Sequence, residues 1–310
     1  MNEHNAVGKD GVKKVHFLMI EHPKVQFKFT KLRQSLLFTN CLMFLIASKS
    51  SAGWEESLTF FPAKYPDGYY QLTESPDIRI EDAYFVTSDG VRLHGWISKP
   101  KKLKSEKWLL WFTGNGGNVS YRLDWIKRMS TIPLNIFIVD YRGYGRSEGE
   151  PTEEGIYRDA ETAYTYLTKT VMVPPEKIVI FGESLGGAAA IYLASQVKCA
   201  GLIVQSTFTN AKDMAKRIMP IIPLWLIIKT KFDNVVRIQK VKAPKLFIHS
   251  PSDEIVPYKL GRELFESSPE PKKFYEVFRA GHNETYLVGG QNYLDTIRDF
   301  VFSLGTVTER

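Results

Sequence analysis

Two serines of this 310-residue chain sit in the spacing that surrounds nucleophilic serines: Ser147 in Gly145-Arg146-Ser147-Glu148-Gly149 and Ser184 in Gly182-Glu183-Ser184-Leu185-Gly186. A serine oxygen reacts only where a turn lifts it clear of the backbone and beside a base. The arrangement that does so is a strand, a tight turn, and a helix that starts at or just after the serine. The flanks separate the two matches. Ser184 follows the apolar run "KIVIF" closely and leads into the Ala-rich, helical "LGGAAAIYLAS". Ser147 lies seven residues beyond Asp140, the end of "NIFIVD", and is followed by Glu-Gly-Glu-Pro. Chemistry is therefore expected at Ser184, and Ser147 is expected in a Gly-rich loop.

Serine at neutral pH needs a base, usually histidine, held by a carboxylate. Of six histidines, His4, His16 and His22 precede the fold, His94 falls in an early strand, and His249 ends a later one as a polar cap. His282, in "FRAGHNET" after the last strand, belongs to a carboxyl-edge loop, where ligand chemistry gathers in open α/β sheets. It is the expected base. The acid should come from a neighbouring loop, and "HSPSDEIVPY" offers Asp253 and Glu254. Asp253 is preferred because its shorter side chain holds an imidazole more tightly. Asp140 also ends a strand, but on the far side of the nucleophile from His282. The order Ser184, Asp253, His282 is the one an α/β-hydrolase arrangement requires. Oxyanion stabilisation needs two backbone N–H groups. One is that of Leu185. The other is expected from the loop Gly114-Asn115-Gly116-Gly117-Asn118, whose glycines admit close approach of a substrate. This loop lacks the lysine and the glycine spacing of a nucleotide-phosphate loop.

The elements that must position these residues are legible as alternation. "IRIEDAYFVT" and "VRLHGWIS" flank the turn Ser88-Asp89-Gly90 and read as an antiparallel pair. "KWLLWFT", "NIFIVD", "KIVIFG", "AGLIVQ", "APKLFIHS" and "KFYEVF" are nearly continuous apolar runs, as expected of parallel strands buried on both faces. Helical patterns fall at 119–129, 153–169, 185–196, 257–267 and 291–303. The fold class is α/β: a doubly wound, mostly parallel eight-stranded sheet with an antiparallel start, in one domain over 53–310. An insertion near 207–240, holding "MPIIPLWLIIK", reads as a small helical cap; Pro220 and Pro223 break it, and its apolar run is too short to span a bilayer.

Residues 1–52 form a basic arm with an apolar segment and are set apart from the fold. Eight Lys/Arg against three acids give the arm a net charge of +5 out of +7 for the whole chain, so the remainder is nearly balanced. That distribution suits a membrane-facing arm and not a nucleic-acid footprint. The uncharged run from Leu36 to Ala47 suits a secretory signal with a small-residue cleavage site at Ser50-Ser51-Ala52, or a short anchor; Met19 as the start would give a leader of ordinary length. The protein is thus expected to be membrane-associated or exported, and cytoplasmic if the segment is neither inserted nor cleaved. Cys41 and Cys199 form no disulfide framework and no metal cluster.

"TGNGGNVSYR", "VDYRGYGRSEGEPTEEGIYRDA", "IVIFGESLGGAAA", "FIHSPSDEIVPY" and "AGHNE" together resemble successive motifs of the α/β-hydrolase superfamily. More narrowly they resemble its membrane-anchored α/β-hydrolase-domain proteins, some of which are protein depalmitoylases; "LTFFPAKYPDGYY" fits that group too. The resemblance implies Ser184 as nucleophile, Asp253 as acid and His282 as base, with Asn115 as the second oxyanion donor beside Leu185. It departs at Thr113, where the group usually has histidine, and at Ser250, where glycine commonly stands. The expected function is a serine hydrolase of carboxylic esters or thioesters acting through an acyl-enzyme, with no metal or organic cofactor. Its substrate would be a small-molecule or lipid-like acyl compound, or an acylated protein. The alternatives are an aminopeptidase or amidase on the same residues, or a non-catalytic binding protein of this fold.

Overall fold

The computed structural model describes residues 53–70, 76–218 and 224–304. The arm at 1–52, with its expected signal or anchor, lies outside the described residues, as do 219–223 of the insertion.

Period-two alternation builds the sheet. β2 (Ile78–Val86) and β3 (Arg92–Pro100) pair antiparallel, and β3 pairs antiparallel with β6 (Asn135–Asp140). From there β4 (Trp108–Phe112), β7 (Ile178–Glu183), β8 (Gly201–Gln205), β9 (Lys245–His249) and β10 (Lys272–Glu276) run parallel. The order across the eight strands is β10-β9-β8-β7-β4-β6-β3-β2. Successive residues of β4 serve opposite cores: Leu110 and Phe112 join one cluster, Leu109 and Trp111 the other. Burial on both faces is why these runs are continuously apolar. Each such fully buried side chain contributes about 1.5–3 kcal/mol.

Helices cover both faces: α2 (Leu123–Met129), α3 (Glu153–Thr165), α4 (Leu185–Ala194), α7 (Tyr258–Glu266) and α8 (Thr285–Ser303) follow a short N-terminal α1 (Trp54–Thr59). The last of these starts earlier than the expected 291. Its first part, from Thr285, joins the expected 291–303 helix across a break at Gly290, whose φ 51°, ψ −132° is non-helical.

The insertion contains α5 (Ala211–Ile218), a single turn at Leu224–Leu226 and α6 (Asn234–Arg237). Ile228 packs on the core, whereas Leu226 and Ile227 are 74% and 62% exposed. The end of this segment is tied to α1: the buried carboxylate of Glu55 accepts the N–H groups of Lys229 (2.9 Å) and Thr230 (2.8 Å) and the Thr230 hydroxyl (2.6 Å).

Immediately after α1, β1 (Phe61–Pro62) pairs with β5 (Gly116–Gly117), two residues inside the Gly-rich loop. The Phe61 N–H donates to Asn115 O (2.9 Å), the Ala63 N–H to Gly117 O (3.1 Å), and Asn115 Nδ2 to Thr59 O (2.9 Å). The chain that enters the fold thus straps the loop expected to supply the second oxyanion donor. A two-residue strand leaves no periodic trace, so the pattern of apolar residues does not reveal it.

Ser147 has a structural place. Its hydroxyl donates to Asp140 O (2.8 Å) and accepts the His94 N–H (2.8 Å), and the residue is buried in the 141–149 loop. The His94 ring, fully buried, lies between Asp140 (2.7 Å) and Asp82 (2.9 Å). Ser147→Ala leaves a buried N–H and a buried carbonyl without this bridge. It should cost about 1–3 kcal/mol of stability, seen as a lowered Tm, while hydrolysis by the folded fraction is unaltered.

Candidate active site

The Ser184 turn is built by crowding. A Cβ on Gly182 would lie 2.3 Å from Gly186 O, and one on Gly186 would lie 2.1 Å from Phe112 O. Only glycine lets α4 start this close to the sheet. Ser184 itself takes φ 53°, ψ −121°, a backbone state that non-glycine residues adopt where surrounding structure enforces it. The enforcement is visible: its N–H donates to Gln205 O (2.8 Å), and its carbonyl accepts the Thr207 hydroxyl (3.1 Å) and the Gly187 N–H (3.0 Å).

The structure brings together the three residues separated by as many as 98 positions. Ser184 Oγ lies 3.0 Å from His282 Nε2, and His282 Nδ1 lies 2.8 Å from Asp253 Oδ2. Asp253 only accepts, so the Nδ1–H points to it and the Nε2 lone pair faces the serine hydroxyl. The Asp253 side chain is fully buried and accepts the N–H groups of Ile255 (3.0 Å) and Val256 (2.8 Å). Burial by itself raises its carboxyl. The hydrogen bonds from His249 and His282, the His282 charge and the Val256 N–H outweigh that, holding it well below the usual carboxylate range. His249 is more than a strand cap: its Nε2 reaches both Val256 O (3.1 Å) and Asp253 Oδ2 (3.3 Å). Glu254 accepts the His282 backbone N–H (3.0 Å), whereas Asp253 takes the ring N–H. Asp140 ends β6, two strands from the nucleophile strand and away from His282.

The two N–H groups expected to hold an oxyanion belong to Leu185 and Asn115. Leu185 is the first residue of α4, and its N–H has no acceptor within the helix. Asn115 sits in the strapped loop. No described residue takes up either N–H. Both Asn115 and Ser184 line one cleft of about 540 Å³.

The lining residues not picked out from the sequence include Arg122, Glu183, Gln205 and Ser206. Arg122 Nε donates to Glu183 Oε1 (2.7 Å), its Nη2 pairs with the same oxygen, and the Gly114 N–H approaches it at 3.4 Å. Glu183 is the variable residue before the serine, and Gln205 ends an apolar strand at the carboxyl edge; those positions were the available signals. No described residue of 207–240 lines the cleft. Among the described residues no group of three or more His, Cys, Asp or Glu side chains is placed to hold a metal.

An open, mostly parallel sheet with a strained serine between strand and helix, facing a carboxylate-held histidine, defines the α/β-hydrolase class. The chain belongs to the α/β-hydrolase family. The family model described as "Hydrolase_4: Serine aminopeptidase, S33" matches residues 106–236. The alpha/beta hydrolase domain-containing protein WAV2 of Arabidopsis thaliana is 32% identical over 240 residues, covering 71% of this chain and 78% of its own. An uncharacterized membrane protein of Saccharomyces cerevisiae is 32% identical over 255 residues, covering 78% of this chain and 88% of its own. Among solved structures, the esterase Pf2001 of Pyrococcus furiosus superposes with a TM-score of 0.64 at 18% identity, covering 79% of this chain and 98% of that one. No helix among the described residues is long and apolar enough to cross a membrane.

Proposed function

We propose that this protein is a serine hydrolase of carboxylic esters or thioesters. The observation that carries the reading is the continuous relay from Ser184 through His282 to Asp253 at a strained turn. Ser184 Oγ attacks the acyl carbon as its proton passes to His282 Nε2, and Asp253 stabilises the imidazolium. The Leu185 and Asn115 N–H groups hold the oxyanion. Collapse expels the leaving group, which takes the proton from His282 and departs as an alcohol or a thiol. Water then attacks the acyl-Ser184 ester, gives its proton to His282, and frees the acid and the serine.

An aminopeptidase needs an acidic group free to hold the substrate amine. Glu183 is the acid in the cleft, but Arg122 already neutralises it. This favours esters and thioesters over N-terminal peptides. The basic arm at 1–52 and the exposed Leu226 and Ile227 support work at a membrane surface on a small-molecule, lipid-like or protein-borne acyl group.

Rapid mixing with p-nitrophenyl butyrate should release a burst of about one p-nitrophenol per active protein before steady turnover. Acid-quenched protein should carry the butyryl group on the Ser184 peptide. An adduct on another residue would overturn the assignment.

A further inference from the structure

We infer that Gln205 and Ser206 form a recognition point beside Ser184 for a hydrogen-bond-accepting oxygen group of the substrate. The inference rests on the hydrolase reading for the place of the reacting atom, and it names the substrate class that reading leaves open. A chain of donors fixes the Gln205 amide. The Trp125 indole N–H can only donate, and it lies 3.2 Å from the Tyr293 oxygen. Tyr293 is fully buried, and burial above all pushes its phenol far above the ordinary range, so it keeps its proton. That proton goes to Gln205 Oε1 at 2.7 Å. With its carbonyl spent on Tyr293, Gln205 is left with an NH2 group that no described residue accepts, on a residue that lines the cleft.

The next residue repeats the pattern. Ser206 is held at φ 48° with its N–H on Ile248 O (2.9 Å), and its buried hydroxyl has no partner. It too lines the cleft with Ser184. Buried polar groups without partners are costly and scarce in folded proteins. An unpartnered buried hydroxyl beside an amide NH2 that no described residue accepts, at the end of the strand next to the nucleophile, makes a site for oxygen atoms. No described residue of 207–240 lines the cleft. The substrate class is an ester or thioester with hydroxyl, carbonyl or ether oxygens near the scissile bond. Those oxygens can belong to the acyl half, as in a hydroxyacyl ester, or to the leaving group, as in a polyol ester.

Two matched pairs of esters separate these sources: p-nitrophenyl 3-hydroxybutyrate against p-nitrophenyl butyrate, and glycerol monobutyrate against propyl butyrate. Each kcat/KM is divided by the ester's hydroxide rate. In one pair the oxygen-bearing ester should be favoured by about 3–10-fold, the span of a single neutral hydrogen bond, and that pair identifies the half that binds. Gln205→Leu should bring the ratio close to 1. Ser206→Ala, which does not touch the Trp125–Tyr293–Gln205 relay, should lower it in a protein of native Tm. Ratios near 1 in both pairs for the wild type, or a ratio unchanged by both substitutions, overturn the inference. Titration of the Ser184→Ala protein with the same esters, followed by NMR, reads the site without turnover. Tighter binding of the oxygen-bearing ester, lost on adding Gln205→Leu, keeps the site even if the wild type hydrolyses none of the esters and the hydrolase reading falls. Equal binding of both members of each pair overturns the site.

Discussion

Ser184→Ala is expected to lower ester hydrolysis by a factor on the order of 10⁶ and to remove labelling by fluorophosphonates. The scale follows from covalent chemistry: without the oxygen there is no acyl-enzyme, and His282 is left beside a methyl group. Stability should move by less than about 1 kcal/mol, because among the described residues the lost hydroxyl bonds only to His282. Circular dichroism and Tm beside a burst assay test both halves. A variant that kept its labelling would remove Ser184 from the mechanism. The other serine motif gives the contrast, with stability lost at Ser147 and chemistry lost at Ser184.

Asp253→Asn is expected to lower kcat by about 10⁴-fold. An asparagine can offer its NH2 to His282 Nδ1, which puts a hydrogen on Nε2 facing Ser184, where a lone pair is required. Loss of the carboxylate also withdraws a negative charge from the imidazole. Stability changes in the opposite sense to intuition about a buried charge. The native Asp253 carboxyl lies below its unfolded value. It thus contributes stability that is fully present above about pH 4 and is lost as pH falls toward the folded value. Asp253→Asn should be less stable at neutral pH and lose less on acidification. An Asp253→Asn protein with near wild-type turnover would move the acid elsewhere.

The centre of the sheet was readable because its strands are buried on both faces: runs such as "WLLWF" and "IVIFG" have no polar side to confuse with helix. Ser184 and its partners could be located because strand ends and short loops place residues at one edge. Arg122, Glu183, Gln205 and Ser206 could not be read this way. Their roles depend on pairings across the sheet, such as Tyr293 with Gln205 over 88 positions, that no local spacing encodes. Ser147 shows how a short motif without its flanks selects a residue that holds a loop together.

The strap over the Gly-rich loop changes where the smallest working unit begins. The main sheet starts at Ile78, and a domain cut there would keep Ser184, Asp253 and His282 together with the sheet that carries them. It would also discard Thr59, Phe61 and Ala63, and with them the three bonds that fix Asn115 and Gly117. The proposed oxyanion site is therefore shared between the body of the fold and the first few residues past the arm. Trimming from the N-terminal side loosens the loop that would hold the transition-state charge once it reaches Thr59, well before the main sheet at Ile78.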